Sequence, residues 1–456
     1  MGRGGEKSEV DQVQPQKTEQ LQKAKWEDVV RINGVEYDVT DYLRKHPGGS
    51  VIKYGLANTG ADATSLFEAF HMRSKKAQMV LKSLPKRAPV LEIQPNQLPE
   101  EQTKEAEMLR DFKKFEDEVR RDGLMEPSFW HRAYRLSELV GMFTLGLYLF
   151  SLNTPLSIAA GVLVHGLFGA FCGWCQHEAG HGSFFYSLWW GKRVQAMLIG
   201  FGLGTSGDMW NMMHNKHHAA TQKVHHDLDI DTTPFVAFFN TAFEKNRWKG
   251  FSKAWVRFQA FTFIPVTSGM IVMLFWLFFL HPRRVVQKKN FEEGFWMLSS
   301  HIVRTYLFHL VTGWESLAAC YLVGYWACMW VSGMYLFGHF SLSHTHMDIV
   351  EADVHKNWVR YAVDHTVDIS PSNPLVCWVM GYLNMQTIHH LWPAMPQYHQ
   401  VEVSRRFAIF AKKHGLNYRV VSYFEAWRLM LQNLADVGSH YHENGVKRAP
   451  KKAKAQ

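Results

Sequence analysis

The chain has 456 residues, with 50 lysines and arginines against 41 aspartates and glutamates for a formal net charge of +9; 47% of the residues are hydrophobic and 14% aromatic. That apolar content excludes a disordered chain. Only 5 cysteines, no Asn-x-Ser/Thr sequon and a polar start (MGRGGEKSEV) exclude a disulfide-stapled secreted protein.

Residues 1–24, rich in Gln, Lys and Glu, read as a disordered lead. Residues 25–90 alternate short apolar and polar runs around an Asn33-Gly34 turn before helical segments, the pattern of a compact α+β module. Residues 91–130 form a linker, Pro-rich at first, with an exposed, salt-bridged helix over 100–122. From 131 to about 420 the composition changes: residues 139–176, 258–280 and 316–343 contain no Asp, Glu, Lys or Arg. This is an all-α membrane domain, with spans expected at 136–152, 155–176, 258–280 and 317–340, the first two joined in a hairpin at Asn153-Thr154. The runs 188–206, 295–313 and 371–383 read as interfacial helices, because the second of them carries His301, Arg304 and His309 at helical spacing. A cytoplasmic cap completes the domain, and 421–456 is a basic cytoplasmic tail.

Basic residues flank the apolar stretches (Arg110, Lys113, Arg120, Arg132, Arg135) and fill the C-terminal end (Lys447, Arg448, Lys451, Lys452, Lys454), as on the cytoplasmic side of spans, so no nucleic-acid partner is expected. Four spans with cytoplasmic ends leave Arg283, Arg284, Lys288 and Lys289 on the far side, against the positive-inside tendency. The alternative is that the third apolar run re-enters near Pro265. Four spans, with 295–313 kept out of the count, are preferred because they leave the histidine clusters described below on one membrane face.

Two chemical sites stand out. In the first, His46-Pro47-Gly48-Gly49 is followed 25 residues later by His71, after Phe67 and Phe70. Two histidines on opposing loops, among small and aromatic residues that leave room for a flat macrocycle, suit bis-imidazole ligation of haem iron and electron transfer. In the second, three clusters, His177-Glu-Ala-Gly-His181, His214-Asn-Lys-His217-His218 and Gln386-Thr-Ile-His389-His390, each aim two or three side chains from one helix face. Seven imidazoles and an amide make a nitrogen-rich shell for iron, with zinc as the rival, and not for calcium or magnesium. Glu178, Asp208, Asp227 and Asp229 are candidates to orient the imidazoles. Asp227, Asp229 and Asp231 do not continue into a calcium loop, and Cys172 and Cys175 read as core thiols at the end of a span.

Residues 25–85 resemble cytochrome b5, and the three clusters resemble the histidine boxes of membrane-bound fatty-acyl desaturases; with the fused haem module and Gln386 opening the third box, the chain is similar to the front-end desaturases. The resemblance implies haem b on His46 and His71. It also implies two iron ions held by His177, His181, His214, His217, His218, Gln386, His389 and His390, with one more histidine from the end of the last span. His339 is the best-placed residue for that role, ahead of His344 and His346. Further implied are O2 as co-substrate, electrons from NADH through an external cytochrome b5 reductase, an acyl-CoA or phospholipid substrate and the endoplasmic reticulum membrane.

Within the family the chain looks most like the algal and microbial delta-6 acyl desaturases, which act on linoleoyl and α-linolenoyl chains. A delta-5, delta-8 or sphingolipid desaturase and a di-iron lipid hydroxylase are the alternatives that keep the metal site. A membrane-anchored haem electron carrier is the non-enzyme alternative.

Overall fold

The computed structural model describes residues 26–57, 62–87, 100–242, 254–351 and 356–443; the expected lead (1–24) and the basic end of the tail lie outside them. Strands β1 (Val29–Ile32) and β2 (Val35–Asp38) pair antiparallel with Ile32 opposite Val35. The two-residue connection places Asn33 at φ 50° and Gly34 at φ 70°, the left-handed pair that a tight hairpin demands and that Asn-Gly supplies. Helices α1 (Thr64–His71) and α2 (Lys75–Ser83) follow, and β3 (Lys86–Arg87) adds to the free side of β2. Val30, Ile32, Val39, Leu56 and Ala63 form the core of this module, with Phe67, Leu81 and Leu84 packed against them.

Helix α3 (Glu100–Arg121) is not the exposed linker helix expected from its charges. Met108, Phe112 and Val119 are buried in one cluster with Ile388, Leu391, Trp392, Phe407 and Phe410, and the rings of Phe112 and Trp392 stack 5.2 Å apart. Its apolar stripe is narrow enough for charge to dominate the composition, yet it closes the core around the third histidine box.

Helices α4 (Phe129–Ser151) and α5 (Pro155–Gly180) form the expected hairpin. Thr154 and Ser157 cap α5 reciprocally, with Pro155 in its first turn. A side chain on Gly166 or Gly169 of α5 would come within 2.4 Å of Val331 and 2.5 Å of Ser332, so close helix approach depends on those glycines. Next come α6 (Leu188–Leu203), α7 (Gly207–Ala219), a long helix α8 (Gln259–Lys288) with π-type turns, α9 (Phe291–Thr312) and α10 (Leu317–Ser341). By length and apolarity α5, α8 and α10 can cross a membrane.

The contacts order these helices along the bundle. At one end of α9, the Glu293 carboxylate accepts from the Ser206 hydroxyl and from the Asp208 N–H (3.0 Å), beside the second histidine box. At the other end, the Thr312 carbonyl accepts from Asn153 in the α4–α5 turn (3.0 Å). Helix α9 therefore reaches from the histidine-box end of the bundle to the α4–α5 turn; Arg304, which breaks its apolar run, is 1% exposed and donates to the Gly202 carbonyl at 3.0 Å. Helix α8 behaves differently. Ile264 lies against Gly338 near the top of α10. At its far end His281 accepts from the Ser206 N–H (2.8 Å) and Arg284 pairs with Asp208 (2.5 Å). Both ends of α8 are thus at the histidine-box end.

Beyond α10, α11 (Trp358–His365), β4 (Asp368–Ile369), α12 (Gln386–Leu391), α13 (Gln400–Lys413) and β5 (Val420–Val421) build a cap in which β4 and β5 pair in parallel. Helix α14 (Tyr423–Glu443) occupies part of the expected tail, but Ala426, Met430 and Leu434 are fully buried with Ile230, Phe238 and Phe263. The segment is part of the cap, because every third or fourth residue is apolar.

Candidate haem and metal sites

His46 sits in a turn where Gly49 takes φ +67° and a side chain on Gly48 would come within 2.8 Å of the imidazole. His71 ends α1 and donates from Nδ1 to the Phe67 carbonyl (3.0 Å), which leaves Nε2 for a ligand. The two ring centroids lie 6.0 Å apart, with the ring planes at 78°. One iron bound on both sides through bonds of about 2 Å sets about that separation, and His46 Nδ1 is buried without a partner. Burial holds both imidazoles below their usual range, His71 adding repulsion at His46, so both present lone pairs at neutral pH. The pair fits haem.

The three boxes converge. His177 and His181 come from the end of α5, His214, His217 and His218 from α7, and His389 and His390 from α12. Ligand atoms of His177, His181, His214, His218 and His389 lie within 4.8 Å of one another, and those of His217, His344 and His390 form a second group on the same criterion. His214 Nε2 is 2.9 Å from His177 Nε2 and 3.1 Å from His218 Nε2. Two nitrogens each about 2.1 Å from one ion and at right angles to it are about 3 Å apart, so these separations match a shared ion. Both ring nitrogens of His389, with His181 Nε2 and His390 Nε2, are buried and unpartnered. Unpaired buried polar atoms are costly. Burial depresses His214, His218, His389 and His390, and pushes His181 and His344 down to about 3. Imidazoles converging on two points suit two transition-metal ions and fit the implied irons.

The surroundings orient the rings. Both oxygens of Asp227 lie 3.0 Å from His217 Nδ1, which turns Nε2 toward His344 and His390. Burial lowers the pKa of His217, but the Asp227 and Asp229 charges outweigh it and bring it to about 9. The Thr221 hydroxyl lies 3.1 Å from His390 Nδ1, and the Gln397 side-chain amide lies 2.8 Å from His177 Nδ1. Glu178 accepts from the Gln397 N–H (3.2 Å), whereas Asp208 pairs with Arg284, away from the ligands. Asp368 anchors α12 by accepting from the Thr387 N–H at 2.8 Å. Cys172 and Cys175 are buried free thiols.

One expected ligand stands elsewhere. His339 lies in neither histidine group: Nδ1 donates to the Tyr335 carbonyl (2.7 Å) and Nε2 pairs with the Tyr423 hydroxyl (2.9 Å). His344, from the turn after α10, stands in the second group with His217 and His390. Gln386 Oε1 is 3.3 Å from His344 Nε2, at the rim of the second group. The signal for His344 was present in Ser343-His344-Thr345-His346, but closeness to the span end favoured His339.

The fold and the two sites define a membrane oxidoreductase in which a haem module is joined to a histidine-box metal centre. The chain belongs to the fatty acid desaturase family, whose model matches residues 153–422, and the model of the cytochrome b5-like haem/steroid binding domain matches residues 14–112. It is 37% identical to an acyl-lipid (8-3)-desaturase of Thraustochytrium sp over 90% of this chain and 92% of that one. An acyl-lipid (8-3)-desaturase of Rebecca salina is 38% identical over 88% of this chain and 89% of its own, and an acyl-lipid (9-3)-desaturase of Physcomitrium patens is 28% identical over 88% and 74%. The architecture is that of the front-end desaturases, a cytochrome b5 domain fused N-terminally to a desaturase domain.

Proposed function

We propose that this protein inserts a cis double bond between the carboxyl end and an existing double bond of a polyunsaturated acyl chain, carried on coenzyme A or a phospholipid in the endoplasmic reticulum membrane. The observation that carries the reading is the pair of buried histidine groups beneath a fused bis-histidine haem module. His177, His181, His214, His218 and His389 hold one iron; His217, His344 and His390, with Gln386 at the rim, hold the other. Bound there, iron supplies the O2-derived oxidising power that unactivated methylenes require. The balance is two hydrogens from the chain, two electrons by way of the haem and two protons from solvent for each O2, leaving two waters. The electrons originate in NADH and reach His46 and His71 through an external cytochrome b5 reductase.

Four helices cross the membrane: α4, α5, α9 and α10. Helix α8 lies within the leaflet on the histidine side, which returns Arg283, Arg284, Lys288 and Lys289 to the cytoplasm and keeps the three boxes on one face.

Insertion at carbon 6 of linoleoyl and α-linolenoyl chains is the first regiochemical reading, three carbons toward the carboxyl from the bond at carbon 9, as in the (9-3) name. The 37–38% identity to the two (8-3)-desaturases favours a second, in which the existing bond is at carbon 8. Yeast expressing the chain, fed either linoleate or a 20-carbon acid with its first bond at carbon 8, distinguishes them. A product from linoleate alone supports carbon 6, and a product from the second acid alone supports the (8-3) reading. Product that persists in a His389→Ala/His390→Ala variant, or a hydroxylated product, overturns the desaturase assignment.

A further inference from the structure

The helix that carries haem ligand His71 is tied to the histidine boxes by the residues on either side of that ligand. Two positions after His71, the Arg73 guanidinium donates to the carbonyls of Gly182 (3.1 Å), Ala394 (2.7 Å) and Met125. Gly182 directly follows His181 of the first box, and Ala394 stands four residues after His390 of the third. The planar guanidinium reaches these three carbonyls from two nitrogens held apart in a fixed fork, whereas a lysine ammonium would have to serve all three from a single nitrogen. One position before His71, the Phe70 ring meets the His218 ring edge to face with centroids 6.2 Å apart, and His218 belongs to the five-histidine group. Two outlying contacts hold the same pose: Tyr54 with His226 (3.1 Å) and Glu68 with Lys113 (3.0 Å).

We propose that Arg73 is a positioning residue that latches the haem domain onto its own chain's metal centre, with Phe70 as the contact through which electrons leave the haem side for His218. The proposal rests on the desaturase reading above. Each crossing takes one electron from the ferrous haem, which becomes ferric, and reduces the metal site by one. Two crossings serve one turnover, and an external nicotinamide-linked flavin reductase reduces the haem between them.

Two readouts test it on the full-length chain in lipid nanodiscs. In the first, made without iron loading, Tyr54→Cys and His226→Cys are joined by a short bis-maleimide, the five native thiols being buried; Arg73→Ala is expected to lower the yield of the joined peptide severalfold. In the second, the iron-loaded, pre-reduced chain is mixed with O2 and substrate, and haem reoxidation is followed by its absorbance. Arg73→Ala is expected to slow it severalfold, because electron transfer falls off steeply with each ångström added between donor and acceptor. Haem content and midpoint potential stay unchanged, and Arg73→Lys restores little. Phe70→Leu keeps the cross-link but slows reoxidation, which tests the contact even where Arg73→Ala folds poorly.

Unchanged cross-linking and reoxidation in Arg73→Ala would overturn the latch. Unchanged reoxidation in Phe70→Leu would overturn the contact. If the unaltered chain reoxidises no faster than its His389→Ala/His390→Ala variant, the desaturase reading itself fails, an outcome distinct from both.

Discussion

His344 and His339 lie five residues apart and differ in what the backbone does between them. Helix α10 continues to Ser341, so His339 keeps a helical register that turns it to Tyr335 and Tyr423, while the turn that follows swings His344 against His217 and His390. A ligand is decided by where its nitrogen points, and both His339 nitrogens are already engaged. Metal analysis of purified protein is therefore expected to give about three irons per chain, the haem iron included, for the wild type and for His339→Gln, and about two for His344→Ala, since removal of one of three protein ligands empties a site. Loss of iron from the His339 variant alone would reverse the assignment. That the box histidines would be presented together was legible in sequence because each pair shares one helix face. The additional histidine was not, because its place depends on how a turn closes against a distant helix.

At the scale of elements, hydropathy ranks α8 above α9, yet it is α9 that reaches from the second box to the α4–α5 turn. The charge that disqualifies α9 by composition, Arg304, is sheltered inside the bundle, over the rings of Phe168 and Tyr325 at 5.7 and 5.6 Å, where carbonyls and aromatic faces meet it. The outer face of α9 is apolar, with Phe291, Phe295, Leu298, Ile302, Tyr306 and Leu310 all more than half exposed. In sealed microsomes with the cytoplasmic face outward, a membrane-impermeant maleimide is expected to label Gln287→Cys and to leave Glu315→Cys unlabelled until detergent is added. Protection of Gln287→Cys until detergent is added would restore α8 as a span. The conflict between the four expected spans and the positive-inside tendency at Arg283 and Arg284 was the clue in the sequence, and resolving it required the partners of both helix ends.

For the whole molecule, the tie between haem domain and boxes makes electron supply a property of one chain. A tether alone raises the local concentration of the donor, and a latched pose adds orientation to it. In liposomes with reductase, a His46→Ala/His71→Ala chain mixed with a His389→Ala/His390→Ala chain is expected to form almost no product, since each retains one working half in the wrong molecule. Recovery above about a tenth of wild-type activity would show that haem domains serve neighbouring chains at least as readily as their own.

The sequence by itself determined the parts: a haem module set by His46, His71 and an Asn-Gly hairpin, and three boxes whose spacing follows from the helical repeat. Local chemistry and local periodicity are sufficient for these. The tertiary structure alone decided that α3 and α14 are core elements, that α9 and not α8 reaches the α4–α5 turn, that His344 joins the second histidine group, and that Arg73 and Phe70 reach the boxes. Each of these is a meeting of residues far apart in the chain, and no window of sequence contains both partners.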